Sequence, residues 1–380
     1  MATVKLATKQ VASLVNDATK QFLGETAVLT EDLQNVVDIG TSLENVTGWP
    51  ENFVSGLSAR IGNEILVNRP YKSSLPNLYR TQTEYGQITM KMRGKLDDAQ
   101  NNQSWELTDD TSYDDNVFIE STVDIELFTK ATAYEIRKSI TDDQIRGAFT
   151  NPQALMNFTS MLFTMVYNSI EVKRQVLNQM VICNAIGETI ANNNAVRYVK
   201  LVTLYNAIFT TDTVTAATAL YNVNFLKYAG AIIRKYQRLL EKYSTLFNLK
   251  AADTFTPKEM QHLILHSDFA DNTATFLESD TFNKEFVELP YHDVVPYWQG
   301  TGTDLSGTRT INITTASGSS VTNSNVIGVL FDHDAMGIFE DSVRTNVKYI
   351  NSADFTNYWF KQKAKYFNST TENIVVFTLD

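Results

Sequence analysis

The chain has 380 residues, of which 43% are hydrophobic, 20% charged and 11% aromatic, a composition that builds packed cores and excludes an intrinsically disordered chain. Forty-three acidic against 32 basic residues leave a formal charge of -11, which argues against a surface made chiefly to neutralise phosphates and so against tight nucleic-acid binding. The single cysteine, Cys183, excludes an intrachain disulfide and a cysteine zinc cluster, and no apolar run reaches the ~18 residues that cross a bilayer. These features describe a soluble chain without a secretory leader, at home in a reducing compartment or indifferent to redox.

Residues 1–65 alternate short helical patterns with breaks at Gly40, Gly48-Trp49-Pro50 and Gly62, which reads as an extended arm with helical pieces. After a turn-rich stretch from Pro70 to Pro76, strands are predicted over 82–96 and 117–128, forming a long antiparallel hairpin. In the second strand Val117, Ile119, Val123, Ile125 and Leu127 alternate with Glu120, Asp124 and Glu126, so the expectation is an apolar side turned inward and an acidic side turned to water.

From Asp97 to Glu126 there are ten carboxylates and no Lys or Arg. The plain reading is a solvated loop. The sharper one lays the hairpin on a basic surface of another copy, and the stretch from Lys227 to Lys258 offers Lys227, Arg234, Lys235, Arg238 and Lys242. The candidate inter-subunit contacts are therefore Asp97, Asp98, Trp105, Asp109, Asp110, Asp114 and Asp115 on the hairpin, and Arg234, Lys235 and Arg238 opposite them.

Asn151-Pro152 opens the strongest helical signal: Leu155, Phe158, Leu162, Met165, Val166 and Ile170 begin a three- and four-residue apolar spacing that ends at Asn192-Asn193-Asn194. Proline costs little in a first turn, and a helix of this length reaches roughly 60 Å, about twice the width of a small domain. A second helix is predicted over 216–246, its polar side being the basic stretch just named. Strands are then expected at 260–265, 286–289 and 325–331, a short helix at 268–278, and a surface loop or hairpin in the Gly-, Ser- and Thr-rich residues 300–325. Strand-like segments 343–350, 355–366 and 374–379 close the chain, the last of them paired in a sheet.

Catalytic and metal-binding signatures are weak throughout. His262 and His266 have the spacing of two helical zinc ligands, but the glutamate of a metalloprotease helix is missing beside the first and the segment reads better as a strand. Asp332-His333-Asp334 reads as a turn after a buried strand, since neighbouring strand residues point to opposite faces. Gly300, Gly302 and Gly307 lack the Lys and Ser/Thr of a phosphate cradle. Cys183, inside the long helix, reads as a small buried hydrophobe. No catalytic residue, metal or cofactor is implied.

The order of parts, an arm, a long hairpin, a very long helix, a mixed α/β region and returning strands, resembles the major capsid proteins of tailed phages with the α+β Hong Kong 97-type fold. Local strings resemble those of small short-tailed phages: Ile145-Arg146-Gly147-Ala148-Phe149 before the long helix, Thr256-Pro257-Lys258-Glu259-Met260, Phe331-Asp332-His333-Asp334-Ala335-Met336-Gly337, and Asn357-Tyr358-Trp359-Phe360 with Glu372-Asn373-Ile374-Val375-Val376-Phe377. The resemblance implies an N-terminal arm (1–70), an extended hairpin loop lying over a neighbour (71–130), a peripheral domain with a spine helix (131–199), an axial α/β domain (200–339) and strands returning to the peripheral domain (340–380).

It further implies hexamers and pentamers closing into an icosahedral shell around double-stranded DNA, with the lining touching the DNA only weakly. Many copies of the chain, a separate scaffolding protein and a portal would be its partners, with no membrane. Assembly would take place in the host bacterial cytoplasm. A projecting hairpin and a 60 Å helix suit such a role, because their flanks find burial only against other copies. The rivals are an encapsulin-type compartment shell, a portal or tail protein, and, from a different class, a glycosidase using two hairpin carboxylates about 5–10 Å apart.

Overall fold

The computed structural model describes residues 8–23, 28–44, 78–80, 89–95, 99, 104, 106–112, 120, 122–129, 131–150, 152–280, 292–299, 308–315 and 318–380. In chain order, helices α1 (Thr8–Leu23) and α2 (Val36–Glu44) precede a short strand β1 (Tyr79–Arg80) and the hairpin strands β2 (Thr89–Gly94) and β3 (Val123–Phe128). Strand β4 (Ala131–Thr141) leads through helix α3 (Asp142–Ala148) into α4 (Pro152–Asn192). Then come β5 (Tyr198–Lys200), α5 (Leu201–Ile208), α6 (Val223–Leu240), β6 (Gln261–His266), α7 (Ser267–Asp280) and β7 (Asp293–Val295). Strands β8 (Ile311–Thr314), β9 (Ser320–Asn323), β10 (Val326–Asp332), β11 (Met336–Ile350), β12 (Phe355–Asn368) and β13 (Ile374–Thr378) complete the order.

Local chemistry sets the approach to the long helix. Thr141 accepts from the Gln144 amide while the Gln144 side chain accepts from the Thr141 amide, a reciprocal cap that ends β4 and starts α3. Helix α4 follows with Pro152 in its first position and runs for 41 residues, close to the predicted span and about 60 Å long.

Two cores share that helix. Its first half, through Leu155, Phe158, Val166 and Ile170, packs with Val11 and Val15 of α1, Val36 and Ile39 of α2, and Tyr358 and Phe360 of β12. Gly40, expected to break a helix, lies inside α2: a Cβ there would stand 2.8 Å from the Phe149 Cβ, so the glycine permits a close approach that a side chain would prevent. Gly48, Trp49, Pro50 and Gly62 lie outside the described residues.

The second half of α4 lies on a five-stranded sheet of order β5-β13-β10-β6-β7. Leu177, Val181, Ile182 and Ile186 pack against Ile264, Val329 and Val376 on one face. On the other, Leu263, Leu265, Leu330, Val375 and Phe377 meet Phe225, Leu226, Ala229 and Ile233 of α6. Burial on both faces explains why β10 and β13 are buried at every position. A second sheet, β1-β11-β12-β4, joins the long antiparallel β11–β12 ribbon to β4.

Several predicted bounds are corrected. Helix α6 is shorter than 216–246 because Asn222 accepts from the Phe225 amide at 2.9 Å and caps it, and because Ser244 beyond its end pairs with Thr254 in an isolated bridge. Strand β11 begins at Met336, not at residue 343. Strand β4 was not predicted, and the strand expected at 286–289 lies outside the described residues. Residues 300–325 contain the expected hairpin, β8–β9. Among the described residues no helix is long and apolar enough to cross a membrane.

Candidate inter-subunit surface

The β2–β3 hairpin is antiparallel, with Met90 opposite Leu127, Lys91 opposite Glu126, Met92 opposite Ile125, Arg93 opposite Asp124 and Gly94 opposite Val123. Alternation puts Met90, Met92, Val123, Ile125 and Leu127 on one face and the charges on the other. The expectation that the apolar face turns inward is reversed. Met90, Met92, Val123, Ile125 and Leu127 are 55%, 58%, 48%, 51% and 60% exposed, whereas Glu126 is buried.

The charged face is seated on the segment that joins β12 to β13. Glu126 accepts from the Ser369 hydroxyl at 2.6 Å, the Thr370 amide at 3.0 Å and the Thr370 hydroxyl at 2.5 Å. Glu372, whose side chain is 3% exposed, receives Lys91 Nζ at 2.6 Å and Arg93 Nη2 at 2.7 Å. Lys91 also donates to the Asp334 carbonyl at 3.1 Å, and Arg93 Nη1 to the Thr371 carbonyl at 3.3 Å. Buried carboxylates require such partners, and β2 supplies the two cations; the apolar face is left for water or another molecule.

Burial alone would push the Glu126 carboxyl up, but the bonds from Ser369 and Thr370, with Lys91 nearby, hold it below the ordinary glutamate value. Asp332 goes the other way. Its burial dominates over bonds from the Asp334 amide and Thr256, and neighbouring Glu372 and Asp334 add to the upward push.

A groove of about 620 Å³ runs between β4 and α4; its lining includes apolar Ile136, Val172 and Val176 and, among polar groups, Tyr134, Glu135 and Lys173. Val172 and Val176, one turn apart on α4, are 61% and 47% exposed. Lys173 Nζ stands 5.9 Å from the Tyr134 ring centroid, and the Tyr134 hydroxyl donates to Gln362 at 2.6 Å, so one wall of the groove is held by the sheet.

Of the contacts expected from sequence, Asp109 and Asp110 are exposed, Lys235 and Arg238 are exposed on α6, and Arg234 is half-buried there. Asp97, Asp98, Trp105, Asp114 and Asp115 lie outside the described residues. Lys91, Arg93, Glu126 and Glu372 were missed as a group. Their signal was present in β2, where Lys91 and Arg93 alternate with Met90 and Met92 and so stand opposite the acids of β3.

The histidines, Asp332 and Cys183 singled out by the sequence sit in the interior or in a turn. His262 and His266 lie on β6, roughly 13 Å apart at strand rise; the first meets His333, ring nitrogens 2.9 Å apart, and the second is buried. Asp332 caps the turn after β10 by accepting from the Asp334 amide at 2.7 Å. Cys183 donates to the Trp298 carbonyl at 3.0 Å, and burial pushes its thiol up to about 12. Among the described residues no three His, Cys, Asp or Glu side chains are grouped to hold a metal ion.

Residues 11–378 match the family model described as Phi29-like phage major capsid protein. Among solved structures, the chain is similar to the capsid of Staphylococcus phage Andhra at 11% identity and a TM-score of 0.54, covering 83% of this chain and 86% of that one. It is also similar to the capsid of cyanophage P-SCSP1u (10% identity, TM-score 0.42, covering 82% and 90%) and to the mature capsid of bacteriophage PhiM1 (7%, 0.41, 80% and 85%). No curated protein sequence matches the chain.

Proposed function

The chain belongs to the Phi29-like phage major capsid protein family, and from that premise we propose how its surfaces build the head. As a major capsid protein with the α+β Hong Kong 97-type fold, it forms the icosahedral head shell of the virion from many copies of itself. The family sets aside the encapsulin, portal and tail readings, and our reading is a structural protein with no chemical step.

The inverted hairpin carries the finer proposal. Its strip of Met90, Met92, Val123, Ile125 and Leu127 docks into the β4–α4 groove of the next copy, against Val172 and Val176. The strip and the groove are different surfaces of one subunit, so the contact is head-to-tail and closes into rings, as hexamers and pentamers require. An exposed apolar strip on a paired ribbon is otherwise a liability to the free subunit. Beyond the strip, the loop carboxylates including Asp109 and Asp110 pair with Arg234, Lys235 and Arg238 of another copy, a contact weakened by salt.

The division into an arm (1–70), hairpin loop (71–130), peripheral domain (131–199), axial domain (200–339) and returning strands (340–380) belongs to the same proposal. So do a separate scaffolding protein, a portal, double-stranded DNA touched weakly by an acidic lining, and assembly in the host cytoplasm. The test pairs Met92→Cys with Val172→Cys or Val176→Cys. Oxidised particles should run as covalent ladders of subunits on a denaturing gel, and electron microscopy should find closed shells when the chain is produced with a scaffolding partner from the same genome. Closed shells that yield monomers only, with both cysteine pairs, refute the docking.

A further inference from the structure

The docking strip faces outward only because the opposite side of the hairpin is held down, and what holds it is a small set of charge-assisted bonds. We infer that Glu126 and Glu372 are positioning residues for assembly: with Lys91 and Arg93 they lock the hairpin's charged face onto its own subunit and so aim the Met90–Leu127 side at the next copy. This inference rests on the docking reading above.

Three features of the lock carry it. First, the bonds cross between parts of the chain far apart in sequence: Lys91 and Arg93 reach Glu372, and Glu126 reaches Ser369 and Thr370. Second, the carboxylates, not the cations, are the sealed members, since the Glu372 side chain is 3% exposed while those of Lys91 and Arg93 are 24% and 27% exposed. The cations can therefore turn to water if the lock fails, whereas Glu372 loses its partners in place. Third, the receiving segment is tied to the body. The Thr254 hydroxyl donates to Glu372 at 3.3 Å, the Asp332 amide to the Asn373 carbonyl at 3.0 Å, and the Ile374 amide to the Phe247 carbonyl at 2.9 Å. The hairpin is thus referred to the five-stranded sheet through Glu372 and Glu126, and a two-stranded ribbon alone would be marginal in direction and stability.

The experiment compares Glu126→Gln/Glu372→Gln with Glu372→Asp, which keeps a charge for Lys91 and Arg93, and with Met92→Asp/Ile125→Asp on the strip. Amide hydrogen exchange is read on the free subunit and particles are scored by electron microscopy. In the double Gln variant, protection of residues 89–94 and 123–128 should fall about tenfold or more, as loss of charge-assisted bonds implies. Protection of β10 and β13 should hold, and shells should be absent or misshapen. Glu372→Asp should restore closed shells.

Closed shells of wild-type size from the double Gln variant overturn the inference, whether or not the hairpin loses protection. So does failure of Glu372→Asp to assemble while its hairpin stays protected. If the strip variant also assembles normally, the docking reading fails; if the strip variant blocks assembly and the Gln variant does not, only the positioning role fails. Loss of protection in β10 and β13 would assign the two glutamates to folding instead, and overturn a positioning role as well.

Discussion

Replacing Met92 and Ile125 by threonine removes apolar surface from the middle of the strip while keeping strand-compatible residues in the hairpin. The two side chains are 58% and 51% exposed in the free subunit, so about half of each remains to be buried by a partner. Full burial of such a side chain contributes about 1.5–3 kcal/mol, which leaves about 1 kcal/mol for each and about 2 kcal/mol for the pair. Each copy presents one strip, so the loss falls once per subunit added, a factor of about 30 in the contact equilibrium at about 1.4 kcal/mol per tenfold. Sedimentation of shells from free subunits gives the concentration at which assembly begins, and it should rise by that order. Thermal unfolding of the free subunit should change less than assembly does, because more than half of each side chain already stands in water. An unchanged assembly threshold would refute the reasoning, and an equal fall in melting temperature would transfer the effect from docking to folding.

Three further outcomes follow from the interior. Gly328→Ala puts a Cβ 2.7 Å from Leu265 Cδ2 and 3.2 Å from the Ile264 carbonyl; with Leu265 buried in the sheet this overpacking should cost about 1–3 kcal/mol and lower the melting temperature measurably. Val166→Asp puts a carboxylate in the core shared by α1, α2 and α4, where Val166 is 3% exposed, and should cost several kcal/mol, visible as an insoluble or much less stable subunit. Burial lowers the His266 value, with Arg309 adding to and Asp268 opposing that shift. The native state thus favours the neutral ring, and this part of the stability is whole above the ordinary histidine value of about 6.5 and drains as pH falls toward the native one. His266→Asn, which keeps an acceptor for the Asp268 amide but cannot titrate, should flatten that acid limb in melting curves taken from pH 7 downward.

The long helix was legible because its apolar spacing persists for over ten turns and a proline and a run of asparagines mark its ends. Strands β6, β10, β12 and β13 were legible because both their faces are apolar or their alternation is regular. Strand β4 was not seen, although Thr132, Tyr134, Ile136, Lys138 and Ile140 are its half-buried or buried side and the intervening residues are exposed. Lys138 on the half-buried side and Ala133 on the exposed side blur a period-two pattern that only pairing with the neighbouring β12 makes decisive.

The hairpin was found but turned the wrong way round. Sequence reasoning assigned the acids of β3 to water because acids usually belong there. Ser369 and Thr370 meet Glu126, and Glu372 meets the cations of β2, only after the chain has folded; partners that far apart in sequence leave no local signal, and the alternation within β2 was the one local sign of the group. On the docking proposed above, the apolar strip follows the logic of assemblies, in which water is not the last environment a surface meets.

The place of β13 in its sheet bears on when the subunit comes into being. β13 lies between β5 and β10, so the central strand β10 lacks a neighbour on one side until residue 378 has left the ribosome. Translation adds about 5–20 residues per second, and β10 therefore waits some seconds for its neighbour with an unpaired edge. No shell contact that needs this sheet complete forms before then, and the interval exposes an edge that a chaperone can cover.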